Sequence, residues 1–84
     1  MNIKQLEKEL EIIGLDKTKY NFGDRPMREL ELGLIQKNGI WIVYQAFEKG
    51  GYNVVKTFDN EDEACDLMLY FLKLEKKEEN ILGQ

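Results

Sequence analysis

The run Asn38-Gly39-Ile40-Trp41-Ile42-Val43-Tyr44 is the tightest constraint on this chain. Asn-Gly is the strongest short hairpin signal, because both central residues of a type I′ turn need positive φ. The stretch that follows is apolar on both alternating faces. A strand covered on one face only should alternate apolar and polar residues. This strand therefore demands cover on its second face as well, from its own chain or from another molecule.

The residues on either side supply the covering elements. Ile3, Leu6, Leu10 and Ile13 form one helical stripe, which predicts a first helix over about 3–13. Asn2 is placed to cap it, and Gly14-Leu15 fits a Schellman ending. Residues 16–26 hold Gly23, Asp24 and the only proline and read as a loop, pinned by Tyr20 and Phe22. Strands are expected over about 29–36, 40–48 and 52–58, the last pair joined by Gly50-Gly51. Asn60 and Glu63 form a capping box for a second helix, with Ala64, Met68, Phe71 and Leu72 as its inner stripe. Residues 78–84 are expected to fray.

The expected architecture is thus α+β, in the order α-β-β-β-α. It has two layers: a three-stranded antiparallel meander with both helices on one face. Directly opposed residues of an antiparallel pair share a face. Tight turns at Asn38-Gly39 and Gly50-Gly51 would gather Leu30, Leu32, Leu34, Trp41, Val43, Phe47, Val54 and Phe58 on the core face. Glu29, Glu31, Ile35, Ile40, Ile42, Tyr44, Ala46, Glu48, Asn53, Val55 and Thr57 would share the other.

Eighty-four residues make one domain, 1–84, with a single modest core. The net charge of −4 disfavours nucleic acid as a partner, since phosphate backbones are polyanions. A basic protein partner fits better. The first residues lack the apolar core of a signal peptide, and no apolar run is long enough to span a bilayer, so a cytoplasmic protein is expected. One cysteine, Cys65, excludes an internal disulfide and any multi-cysteine metal site.

Catalytic chemistry finds few candidates. The chain has neither histidine nor serine, and no P-loop, G-x-G-x-x-G or C-x-x-C occurs. Asp59, Glu61, Asp62, Glu63 and Asp66 suggest a cation site or a patch for a basic partner, yet helix capping and the helix dipole account for the same pattern. Cys65 reads as a small buried hydrophobe. No enzyme, cofactor or metal is expected.

Trp41-x-Val43-Tyr44, then Glu48-Lys49-Gly50, then Phe58-Asp59-Asn60-Glu61-Asp62-Glu63-Ala64-Cys65, resembles a group of small bacterial immunity proteins of polymorphic-toxin and contact-dependent inhibition systems. Their pattern is W-x-V-Y-Y, a nearby E-R-G, a strand, and F-x-[ST]-E-x-E-A-C opening a helix. The likeness covers 41–72. Gln45 stands in place of a second tyrosine, Lys49 in place of arginine, and Asn60 in place of serine or threonine. The spacing from Trp41 to Gly50 is one residue longer. The resemblance implies stoichiometric inhibition of a sibling toxin. Ile42, Tyr44 and Glu48 would then contact the partner, with Glu29, Glu31, Glu61, Asp62 and Asp66 as electrostatic contributors.

Two other readings stay open: a homo-oligomeric domain that buries its open sheet face or edge against a copy, and a small acidic metal-binding or regulatory domain. The partner-bound state is accordingly a toxin complex, or the chain alone as monomer or homodimer. What covers Ile42 and Tyr44 is a toxin, a twin subunit or the chain's own tail.

Overall fold

The structure is a computed structural model that describes residues 1–23, 28–48 and 50–82, with side chains up to residue 77. Three parts of the expectations lie outside the described residues: the loop at 24–27, Lys49 of the immunity-protein motif, and residues 83 and 84 of the tail.

Helix α1 spans Ile3–Ile12. Asn2 caps it by accepting from the Gln5 N–H, and the Gln5 side chain accepts from the Asn2 N–H in return, both at 2.9 Å. Its end is the expected Schellman turn. Gly14 takes φ +76°, and the Leu15 N–H donates to the Leu10 carbonyl at 3.1 Å. Leu15 is thereby folded back into the core. A single 3-10 turn at Lys17–Lys19 leads to strand β1, Tyr20–Asn21.

Strands β2 (Leu32–Lys37), β3 (Ile40–Ala46) and β4 (Tyr52–Phe58) follow, and helix α2 runs over Glu61–Leu82. Asn60 accepts from the Glu63 N–H at 2.8 Å, as the capping pattern requires. Helix α2 continues through Leu82.

The fold is α+β, with a four-stranded mixed sheet in the order β1-β2-β3-β4. The expected antiparallel meander is present as β2-β3-β4, with β1 added parallel to β2 from a segment read as loop. Leu34 and Val43 share one buried cluster with Leu6 and Leu10 of α1 and Ala64, Cys65, Met68 and Leu72 of α2. Both helices therefore draw on the same sheet face. Glu61 accepts from the Ile3 N–H, and the Lys76 ammonium donates to the Gly14 carbonyl, so α1 and α2 lie side by side and run in the same direction.

Between β2 and β3 the register is the one the Asn38-Gly39 turn dictates, with Lys37 opposite Ile40 and Leu34 opposite Val43. Between β3 and β4 it differs. The chain turns over residues 47–51, the Phe47 N–H donating to the Gly51 carbonyl, so Tyr52 faces Ala46. Val54 then lies opposite Tyr44 on the outer face, not on the core face. A bulge corrects the phase. Val55 has no partner, Lys56 faces Val43, and Phe58 returns to the core side opposite Trp41.

Three of the expected core residues are exposed: Leu30 (58%), Phe47 (51%) and Val54 (48%). The register accounts for Val54. Phe47 has left the strand for the loop. Leu30 sits before β2 with φ +57°, a left-handed conformation that costs a leucine roughly 1–2 kcal/mol.

The outer face answers the demand posed by β3. Tyr44 is fully buried there, its ring laid across Gly33 of β2 and 5.1 Å from the Tyr52 ring. A Cβ on Gly33 would lie 2.1–2.4 Å from the Tyr44 ring and hydroxyl. Gly33→Ala is therefore expected to dislodge Tyr44 and cost roughly 1–3 kcal/mol of stability. Urea denaturation of the two proteins checks this, and an unchanged midpoint would contradict it.

Candidate functional site

Two buried polar residues tie together the described ends of the connection between the parallel strands β1 and β2, Asn21 before it and Glu31 after it. Asn21 and Glu31 are 1% and 4% exposed. The Asn21 amide donates to Glu31 Oε1 at 3.0 Å, and the same oxygen accepts from the Arg28 N–H at 3.3 Å. Asn21 Oδ1 accepts from the Gly23 N–H at 2.7 Å. A buried carboxylate is costly unless it is hydrogen-bonded, and these contacts supply that. Nearby, Gly23 passes close to Ile35 Cγ2 on the outer face. Tyr20 and Phe22 stack at 5.2 Å and anchor the start of the connection.

This arrangement redistributes the residues expected to meet a partner. Glu31 and Tyr44 are buried by the chain itself, so neither lies on the surface of the described protein. Their alternating position places both on the outer face, where Glu31 bonds Asn21 and the Tyr44 ring lies across Gly33 and beside Tyr52. Ile42 is half-buried on the open end of that face, opposite Ile35 and Thr57, with Ile40 43% exposed beside it.

Glu61 is half-buried and accepts the Ile3 N–H at 2.9 Å, so it ties α1 to α2. Asp62 is exposed and pairs with the α-ammonium of Met1, which holds that ammonium above its usual pKa. Asp66 is exposed one turn further on. These three cluster near the Asn38-Gly39 end of the sheet, where Phe58 leads into α2. Glu29 and Glu48 are exposed at the opposite end, where the Leu30 N–H donates to the Ala46 carbonyl. The acidic residues thus form two groups, not one patch. Among the described residues no group of three or more Cys, Asp or Glu is placed to hold a metal ion. No described helix is long and apolar enough to cross a membrane.

Cys65 is fully buried against the core at the start of α2. Burial, with the Glu61 carboxylate next, pushes its thiol up to about 11. A helix N-terminus alone would lower it, but desolvation and the surrounding carboxylates win.

The feature that sequence reading missed lies on the helix side of the sheet. Helix α2 leaves one end of that face uncovered. There Leu32, Gln45, Val55, Phe71 and Glu75 line a groove of about 270 Å³. Small-molecule sites usually enclose roughly 300–1,000 Å³, so this groove suits a single side chain better than a cofactor. It opens beside β4, the long edge of the sheet, whose residues Asn53, Val54, Val55, Lys56 and Thr57 are all exposed. The spacing of Phe71 and Glu75 on one helix face was a readable signal. Val55 was not readable, because its orientation depends on the bulge.

Comparison with protein-family models, with curated proteins and with solved structures finds no match.

Two outcomes follow from these contacts. Glu31→Ala leaves the Asn21 amide and the Arg28 N–H without their acceptor and is expected to cost about 1–3 kcal/mol, read by urea denaturation. An effect within error would show that the Asn21–Glu31 pair does not hold the connection. For Cys65 the unfolded thiol ionises near 9.0 and the folded one at about 11. Its contribution is therefore complete below pH 9 and is lost as pH rises from 9 to 11. The stability difference between wild type and Cys65→Ala should narrow from about pH 8 to about pH 10.5. A difference independent of pH would contradict the raised pKa.

Proposed function

We propose that this chain is a non-enzymatic protein-interaction module that binds and neutralises a bacterial toxin in the cytoplasm, as an immunity protein does. The observation that carries the reading is strand β4. It is seven residues long, stands at the sheet edge, and leaves Val54 and Val55 48% and 42% exposed. An exposed edge with apolar side chains is a template for pairing with another chain. The run from Trp41 to Cys65 that resembles immunity proteins includes this strand, and the net charge of −4 suits a partner with a basic cleft.

Catalysis has less support. The groove is small, the buried thiol is held protonated, and the buried carboxylate of Glu31 is engaged with Asn21 and Arg28. The same open edge favours one rival reading, a homodimer joined through β4.

The test is protection. The C-terminal domain of a large secreted protein encoded beside this chain would be expressed in sensitive cells with and without it. The expected result is survival only with the chain, and an equimolar complex by light scattering. Association should slow by about tenfold or more between low and high salt, because attraction between unlike charges steers the encounter. A stable homodimer that neither binds that domain nor protects would overturn the proposal in favour of the rival.

A further inference from the structure

Helix α2 carries an exposed surface that toxin neutralisation through β4 does not use. We propose that two copies of this chain pair through α2, antiparallel about a twofold axis near Tyr70.

Glu63, Leu67, Tyr70, Leu74 and Lys77 recur at alternate spacings of four and three residues. They therefore form one seam along the helix, the pattern by which two helices lie side by side. Ala64, Met68 and Leu72 turn the other side of α2 into the core, so the seam faces away from it. Tyr70 is 59% exposed and Leu74 42%, while Leu67 is half-buried. The Tyr70 ring meets the Phe71 ring edge-on at 5.7 Å, which holds it in place. An exposed aromatic ring held among apolar neighbours is the kind of group that anchors an interface.

Charge names the occupant. Glu63 and Asp66 stand before Tyr70 on the helix, Lys73 and Lys77 after it, and all four are exposed. Every charged residue three or four positions from any of them has the same sign, so neither end is neutralised along the helix. The helix dipole accounts for Glu63 in the first turn only. Asp66 lies beyond that turn, and Lys73 and Lys77 lie before the last turn, which holds no basic residue. The neighbouring charges are engaged elsewhere. The Met1 ammonium, within electrostatic reach of Asp66, pairs with Asp62, and the Lys56 ammonium sits over the Phe58 ring. Lys76 bonds the Gly14 carbonyl and Glu75 lines the groove, so neither belongs to the seam.

The seam runs acid, apolar, base, so its complement is its own reverse. Glu63 and Lys77 each stand seven residues from Tyr70, roughly 10 Å along the helix. A twofold axis near Tyr70 brings Glu63 of one copy to Lys77 of the second, and Asp66 to Lys73. Tyr70 then packs among Leu67 and Leu74 of the second copy. A parallel pair would set acid against acid and base against base. Glu78 and Glu79 follow the seam in sequence, so position along the helix, not net charge, sets the match. A seam this short is at the small end of protein interfaces, so the pair should form only at high concentration.

Sedimentation velocity of the full chain, from micromolar to millimolar concentration, reads the association. Wild type should pass from monomer to dimer over this range, and added salt should weaken the dimer. Two charge-reversed chains test the pairing: Glu63→Lys with Asp66→Lys, and Lys73→Glu with Lys77→Glu. Alone, each sets like charges together and should self-associate about tenfold more weakly or worse. Mixed, the two should form a heterodimer within about threefold of wild-type affinity. Tyr70→Lys leaves both charged ends intact and changes one exposed side chain, so it keeps the test open if a reversed chain fails to fold. It should weaken association about tenfold. In ¹⁵N spectra the concentration-dependent shifts should fall on residues 63–77. A wild type that stays monomeric at millimolar concentration would overturn the proposal. So would variants that associate as wild type does, a mixture of folded reversed chains that stays monomeric, or shifts confined to β4, the last favouring pairing at the sheet edge.

Discussion

Everything on the outer face depends on the Tyr44 ring lying across Gly33. Strand β3 is apolar on both sides, yet both helices draw on one side only. The second side must be sealed by what remains of the chain. Gly33 makes room, since any side chain there would collide with the ring. Burying the Tyr44 ring contributes roughly 2–3 kcal/mol, a sizeable share of what a small domain has in hand. The described ends of the connection between β1 and β2 meet at the same end, through Asn21 and Glu31. Their hydrogen bond makes a buried polar pair part of an otherwise apolar seal.

That seal determines which surface is left for a partner. It occupies the β1-β2 side of the sheet and internalises Glu31 and Tyr44. The side left open is β4, whose outer edge has no described neighbour and whose inner face borders the groove under α2. Interaction at β4 and closure around Tyr44 are thus two results of one asymmetry.

Local signals in the sequence were reliable because their physics is local. Asn38-Gly39 set its own turn geometry, and with it the whole β2-β3 register. Asn2, Gly14 and Asn60 made the caps that their spacing implies. Long-range features were not legible. Gly50 and Gly51 both adopt positive φ, but glycines permit several turn lengths, and the longer one shifted β4. The bulge at Val55 then restored Phe58 to the core side. Glu31 read as an exposed charge, and only its contact with the buried Asn21 makes its burial tolerable. Gly33 carried an unused hint, since glycine inside a strand often marks close approach by another group. For the candidate site, the acidic helix start was visible, but Glu61 and Asp62 bind α1 and the chain's own terminus instead of facing outward freely.

Amide hydrogen exchange on the isolated chain tests this asymmetry most directly. Tyr44 and its neighbours in β2 and β3 should exchange slowest, and the Gly23 N–H, bonded to Asn21, should be protected with them. Amides on the outer side of β4 should exchange fastest within the sheet. A Gly23 amide that exchanges freely, or a β4 edge as protected as β3, would contradict a chain that seals itself around Tyr44 and leaves β4 open.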